Sequence, residues 1–218
     1  MQLGSYPVVR RDGTLLHLES PVRLLMDDNW QPAGYFMPWA ARLNITGRID
    51  EAVVRHAVTR IQVEGHALAI NLSAESLCDA GFRAELTARL DKAPEVGTRL
   101  WVEIPEYGVI QHPAEFRELC RALKPYGCHL GIEHVGRRFD HIKNLHDLGL
   151  DYIKVDASII NGIDQDMGNQ NVLRSLCTVA HSIGLLVIAE GVRCKAERDA
   201  LPHLGLDGMT GPDVQLKR

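Results

Sequence analysis

Six apolar runs in this chain of 218 residues end in side chains able to ligate a cation or handle a proton: Glu19, Asn71, Glu103, Glu133 with His134, Lys154 with Asp156, and Glu190. Carboxylates with one amide are the hard oxygen donors that hold Mg²⁺, and a lysine among them offsets the charge of a phosphate or hydroxide. The set therefore points to divalent-metal-assisted phosphoryl transfer. Each member has an ordinary reading too: Glu19 as a surface carboxylate, Asn71 as a helix cap, Lys154 as half of a structural ion pair. What favours the chemical reading is recurrence, since nearly every run ends this way. The stretch Cys128 to Gly136 states it most sharply. A short apolar strand opens onto Glu133-His134 and a glycine turn, and charge brought to the edge of a core is costly unless it holds something.

The elements around these residues alternate. Tyr6-Pro7-Val8-Val9 and Leu15 to Glu19 lie at hairpin distance across Arg10-Arg11-Asp12-Gly13 and should pair antiparallel. Trp30 to Pro38 reads as loop, punctuated by Pro32, Gly34 and Pro38. From Asp50, a plausible N-cap, Val53, Val54, Ala57, Val58 and Ile61 share one helical face. Further helices are marked by Phe82, Leu86 and Leu90, by Phe116, Leu119, Cys120 and Leu123 after Pro113, by Ile142, Leu145 and Leu148 before Gly149, by Val172 to Ile183, and by Ala200 to Leu204. Strands fall at Ala67–Leu72, Arg99–Glu103, Cys128–His134, Tyr152–Asp156 and Leu185–Glu190. About eight strands with short helical connections predict an α/β fold, a TIM-like (β/α)8 barrel formed by residues 1–218 as one domain. In such a barrel the C-terminal strand ends meet on one face, which would gather the six ends.

Composition narrows the partners. Apolar residues at 45% and charged residues at 24% suit a soluble globular protein. A net charge of -4 with no basic block argues against nucleic acid as a partner. Five cysteines without a C-x-x-C pair read as reduced thiols of a cytosolic compartment. No run is long enough to span a bilayer and the N-terminus lacks a signal-peptide core, so any membrane anchor would lie outside this sequence.

Taken in order, Tyr6-Pro7-Val8-Val9, Glu19-Ser20-Pro21-Val22-Arg23, Asn71-Leu72-Ser73, Val102 to Glu106, Asp151 to Asp156 and Ile188 to Val192 resemble the EAL domain, the cyclic-di-GMP phosphodiesterase family. The resemblance implies a barrel with an antiparallel first strand, and hydrolysis of cyclic-di-GMP by two Mg²⁺ or Mn²⁺ ions. It implies that Glu19, Asn71 and Glu103 bind metal, that Arg23 meets a ligand phosphate, and that Glu106 steadies the loop after the Glu133 strand. Lys154 would assist the attacking water, and Glu190 would serve at the metal or as base. The nucleotide would lie against Glu19, Ser20, Pro21, Val22, Arg23, Asn71, Glu103, Glu133, His134, Lys154, Asp156, Glu190, Gly191, Gly211 and Pro212.

Several positions depart from the family pattern. Its Ala-Leu is Ser20-Pro21, its metal-bridging aspartate pair is Glu133-His134, and Phe-Gly after that pair is Val135-Gly136. Arg137-Arg138-Phe139 replaces small polar residues, Arg193 replaces a second glutamate, and Thr210-Gly211-Pro212 replaces Gln-Gly-Tyr. Two metals need a bridging carboxylate that holds the ions about 4 Å apart, whereas a neutral imidazole offers one nitrogen. Glutamate at 133 would also displace a retained ion by about an ångström, a shift that can cost ~10²-fold. The expectation is therefore a degenerate EAL domain with no required cofactor. Lys154 and Glu190 would be catalytic relics, and Glu19, Asn71, Glu103 and Glu133 metal-site relics. Arginines can hold phosphate bidentately without metal, so Arg23, Arg137, Arg138 and Arg193 would sustain cyclic-di-GMP binding. This resembles the LapD-type receptors, which implies a cytoplasmic domain of an inner-membrane protein, attached to a degenerate GGDEF domain and dimerising on ligand binding. The alternatives are a slow phosphodiesterase using Mn²⁺ or Zn²⁺, and a barrel that binds only proteins.

Overall fold

The computed structural model describes residues 1–136 and 149–216. The chain opens with β1 (Gln2–Leu3), β2 (Tyr6–Arg10), β3 (Leu15–Glu19), β4 (Val22–Met26) and β5 (Asn29–Pro32), followed by α1 (Ala33–Arg42) and α2 (Thr46–Glu64). Next come β6 (Leu68–Asn71), α3 (Ala74–Cys78), α4 (Ala80–Lys92), α5 (Pro94–Gly97), β7 (Leu100–Pro105), α6 (Glu106–Gln111) and α7 (Pro113–Leu123). After β8 (His129–Val135) come β9 (Tyr152–Val155), α8 (Ala157–Ile160), α9 (Met167–Ser182), β10 (Leu186–Ala189), α10 (Lys195–Leu204) and β11 (Gly208–Met209). Eight strands close into a barrel in the order β10-β11-β2-β3-β6-β7-β8-β9. The pairs β3–β6, β6–β7, β8–β9, β9–β10 and β10–β11 are parallel, and β2 runs antiparallel to β11. The α/β barrel with an antiparallel first strand is the expected fold.

Backbone contacts divide the chain into two compact units, one of residues 1–5 and 18–129, the other of residues 6–17 and 130–218. In the first, α2 buries Val53, Val54, Ala57 and Ile61, and α4 buries Phe82, Leu86 and Leu90, as their 3.6-residue spacing requires. Each of the valines, leucines, isoleucine and phenylalanine among them contributes about 1.5–3 kcal/mol by leaving water. In the second, β9 is buried along its whole length, and α9, which packs against β10, buries Leu173, Leu176, Cys177 and Ala180. All five cysteines are free thiols.

Two local expectations fail. Residues 30–38 are not loop: they form β5 and most of α1. Asp27 and Asp28, at φ 47° and 61°, make a two-residue hairpin turn between β4 and β5. Pro38 lies in the middle of α1, where the burial of Phe36 and Ala40 on either side of it outweighs the lost hydrogen bond. Nor does Asp50 cap α2, which begins at Thr46; Asp50 is inside the helix and buried. The helical turn expected at Ile142, Leu145 and Leu148 lies outside the described residues, as do Arg137, Arg138 and Phe139.

Candidate functional site

Within the second unit, β8 carries an extra residue where it leaves β9. Ile132 pairs with Ile153 and Val135 with Val155, so three steps on β8 match two on β9. Bulges of this kind re-aim side chains. His134 sits in the bulge at φ 58°, a left-handed conformation uncommon for a side-chain-bearing residue. The result is that Glu133 turns inward and is buried while His134 stays exposed at the strand end. Lys154, in the middle of buried β9, is itself buried, and Glu190 follows directly on β10. In the parallel register Lys154 faces Ile188, which places Glu190 two residues beyond that partner on the neighbouring chain segment.

These side chains make one ionic cluster. Lys154 Nζ donates to Glu190 Oε1 at 3.0 Å, and His134 Nδ1 lies 2.9 Å from Glu190 Oε2. The same ring nitrogen is 3.6 Å from Asp156 Oδ2, and His134 Nε2 is 3.7 Å from Glu133 Oε2. The hydrogen bond to Glu190, working against desolvation and aided by the charges of Glu190 and Glu133, pushes the His134 imidazole up to about 9. It is therefore a cation at neutral pH, with both nitrogens protonated and Nδ1 donating to Glu190. Burial alone would raise the Glu190 carboxyl. The Lys154 charge and the His134 hydrogen bond outweigh that, and hold it below the usual carboxylate range. Asp156 also caps α8, its Oδ1 accepting from Ser158 N at 2.8 Å.

The remaining candidates of this unit form the backbone beside the cluster. Gly191 has φ 70°, and a Cβ there would stand 2.6 Å from Ala157 Cβ. Gly211 has φ 149°, and a Cβ there would fall 2.2 Å from Val192 N. Val192 N donates to Thr210 O and Asp213 N to Val192 O, so the segment through Gly211 and exposed Pro212 is stitched to the turn after Glu190. Glu197, which the sequence did not single out, fixes that turn: its buried carboxylate accepts from Gly162 N at 2.8 Å and Arg193 N at 2.7 Å. The signal that could have found it is the i,i+4 spacing to Arg193, whose guanidinium lies 3.5 Å from Glu197 Oε1.

In the first unit Asn71, the last residue of β6, is the register partner of Glu103 within β7, with Glu103 fully buried and Asn71 exposed. Glu19 ends β3 opposite Ala69. Ser20 is buried, and its Oγ has no hydrogen-bond partner among the described residues, although its N–H donates to Ala69 O. Pro21 is exposed. Val22 and Arg23 leave the barrel and open β4 of the small sheet β1-β4-β5, where exposed Arg23 lies between Gln2 and Pro32. Glu106 opens α6, while most of the loop it was expected to steady is outside the described residues.

Glu133, His134 and Glu190 can each offer a ligand atom within 4.8 Å of the others, the one such group of acids and imidazoles among the described residues. Two carboxylates and an imidazole suit a single ion of the Mn²⁺ or Zn²⁺ type. To receive it, His134 must lose its proton and Glu190 must yield an oxygen shared with His134 or Lys154. For a bridged pair of hard ions this cluster does not fit, because the central position presents a cationic ring where a bridging carboxylate is needed.

The EAL domain profile matches residues 6–214. The chain belongs to the EAL domain family. It is 29% identical over 181 residues to the cyclic di-GMP phosphodiesterase PdeF of Escherichia coli, covering 81% of this chain and 24% of that protein. Among solved structures it is similar to the Xanthomonas citri FimX EAL domain in complex with c-diGMP, at a TM-score of 0.88 and 24% identity, covering 96% of this chain and 84% of that one. It is also similar to Vibrio cholerae LapD S helix-GGDEF-EAL bound to c-di-GMP, at a TM-score of 0.90 and 22% identity, covering 98% of this chain and 53% of that one. At those identities the structural likeness speaks for the fold. The chain spans about a quarter of the length of PdeF. No helix among the described residues is long and apolar enough to cross a membrane.

Proposed function

We propose that residues 1–218 form one EAL domain that binds cyclic-di-GMP without requiring metal and without cutting it. The observation that carries this reading is the state of Glu190. One carboxylate oxygen is bonded to Lys154 and the other to His134, and His134 is within 3.7 Å of Glu133 and Asp156 as well. An imidazolium surrounded by three acids neutralises charge that a divalent ion would otherwise balance. Lys154 and Glu190 are then structural, and Glu19, Arg23, Asn71, Glu103 and the turn at Gly191 and Gly211 serve ligand binding. As in the LapD arrangement, the signal would pass through altered self-association or contacts with attached domains, among them a degenerate GGDEF domain and an inner-membrane anchor with this domain in the cytoplasm.

One observation favours a second reading, a slow phosphodiesterase. The Glu133, His134 and Glu190 atoms are close enough to take one Mn²⁺ or Zn²⁺. Calorimetric titration of cyclic-di-GMP in EDTA, then in excess Mg²⁺ and Mn²⁺, separates the two. Binding in EDTA with intact nucleotide recovered is the expected result. Metal-dependent appearance of linear dinucleotide would overturn it, and absence of binding in every buffer would leave a protein-interaction barrel.

A further inference from the structure

Asp50 is an acid with no place in the chemistry so far, yet it is one of the most heavily bonded side chains of the first unit. It projects from α2 and is 3% exposed. Its Oδ2 accepts three hydrogen bonds, from Ser73 N at 2.9 Å, Ser73 Oγ at 2.6 Å and Ser76 Oγ at 2.6 Å. Ser73 is the N-cap of α3, and its hydroxyl in turn accepts from Ser76 N at 3.2 Å. A single carboxylate oxygen thus ties α2 to the turn that starts two residues after Asn71. On the other side of that turn, Leu72 N donates to Glu103 O at 2.9 Å, and Asn71 itself is in register with Glu103. Asn71 therefore stands at the end of a three-residue segment, Asn71-Leu72-Ser73, clamped by β7 at one side and by Asp50 at the other.

We infer that Asp50 is the positioning residue of the Asn71 strand end, holding the β6–α3 turn so that the Asn71 amide is presented to the ligand in a fixed orientation. The assignment rests on the reading above that Asn71 serves ligand binding. The backbone from which the Asn71 side chain projects has its course set on one side by β7 and on the other by hydrogen bonds to the buried Asp50 carboxyl. A simple staple between α2 and α3 would need only the Ser76 contact. The bond to the Ser73 backbone N–H acts on the turn itself.

The test compares Asp50→Ala, which removes the acceptor, with Asp50→Asn, whose carbonyl oxygen can occupy the same place and accept the same three bonds. Amide hydrogen exchange of the ligand-free proteins is read at Leu72 and Ser73, and cyclic-di-GMP affinity is read by calorimetry well below each protein's unfolding temperature. Asp50→Ala should speed exchange at these two amides by about tenfold and weaken binding by about tenfold, the equivalent of one hydrogen bond. Asp50→Asn should stay within about threefold of the parent in both. In an Asn71→Ala background the further loss from Asp50→Ala should vanish, because the two act through one contact. An undiminished loss in that background, or exchange that rises uniformly over α2 and α3, would overturn the assignment in favour of a plain staple. If the parent binds no cyclic-di-GMP, the function proposed above fails, while the exchange data still decide whether Asp50 fixes the turn. Should Asp50→Ala not fold, Asp50→Ser, whose side chain is one bond shorter and withdraws the acceptor from the Ser73 N–H, is read the same way.

Discussion

If His134 occupies the place of a cation, replacing it with aspartate should create a need for one. The bulge accepts the change, since aspartate is among the residues that tolerate the left-handed region that His134 occupies. In place of an imidazolium 2.9 Å from Glu190 and 3.6 to 3.7 Å from Asp156 and Glu133, a fourth carboxylate would enter the group. A pair of unit charges near 4 Å is worth about 4 kcal/mol at an effective dielectric of about 20 and about 1 kcal/mol in bulk water. The His134 side chain is 58% exposed, so solvent screening places each pair near the lower figure. A net destabilisation of about 2 kcal/mol is expected in EDTA, equivalent to a Tm lower by about 4–8 °C for a chain of this size. Mn²⁺ at about a hundred times its Kd should return about 2.7 kcal/mol to the variant, and far less to the parent, whose cluster is already neutralised from within. Thermal unfolding of both proteins, with EDTA and with Mn²⁺, measures this. Because the His134 pKa is raised from 6.5 to about 9, its contribution is fully present below pH 6.5 and is lost as pH rises through about 9. The gap between parent and variant should narrow over that range. Equal stability of His134→Asp and parent in EDTA at pH 6.5, or equal gain from Mn²⁺, would refute the idea that the imidazolium stands in for metal.

Three further outcomes follow from the same geometry. Lys154→Met should cost about 3 kcal/mol in urea unfolding by stranding the buried Glu190 carboxylate, and adding Glu190→Gln should recover much of it. Gly211→Ala places a Cβ 2.2 Å from Val192 N; a clash with backbone rather than a flexible side chain should lower stability by about 2–3 kcal/mol, against under 1 kcal/mol for alanine at exposed Gly34. Burial, working against the serine hydrogen bonds, raises the Asp50 pKa, so the folded state holds its proton more tightly than the unfolded one. Stability from Asp50 is then greatest below its unfolded value of 3.8 and declines as pH rises through the raised folded value. Urea unfolding between pH 3 and pH 7 should show that decline in the parent and not in Asp50→Asn.

The barrel was legible because its signal is redundant. Runs such as Leu68 to Ile70 and Tyr152–Val155 are buried on both faces, and helices such as α4 repeat their apolar residues at a fixed period. The polar strand ends were legible for the same reason, as interruptions of those runs. Residues 30–38 were not, because Pro32, Gly34 and Pro38 are local breaker signals, whereas the burial of Phe36 and Ala40 that overrides them is tertiary. Asp50 misled in the same way: an acid before an apolar period has the look of a cap, and only the fold reveals that it bonds to Ser73 and Ser76. The bulge at Glu133-His134 left no trace in residue types, since it is a mismatch between two strands and belongs to neither alone.

Charge within the His134 cluster constrains how a cyclic dinucleotide could be held. Glu133, Asp156 and Glu190 set three negative charges against the two positive ones of Lys154 and His134, and both cations are already committed to those acids. The cluster taken alone therefore repels a phosphodiester, and bringing in a divalent ion would require displacing the proton of His134 first. If the domain binds cyclic-di-GMP in EDTA, its phosphates must be met by cations outside the cluster, and arginines such as Arg193 in the turn after β10 have the chemistry for that. Arg193 is tethered to Glu197 at 3.5 Å and is more than half exposed, so swinging it onto a phosphate exchanges one ion pair for another at little cost. Binding that depends on these arginines should weaken steeply with salt, whereas binding through a metal held by buried acids would not. The ionic-strength dependence of affinity in EDTA therefore distinguishes recognition by guanidinium from recognition by a residual ion.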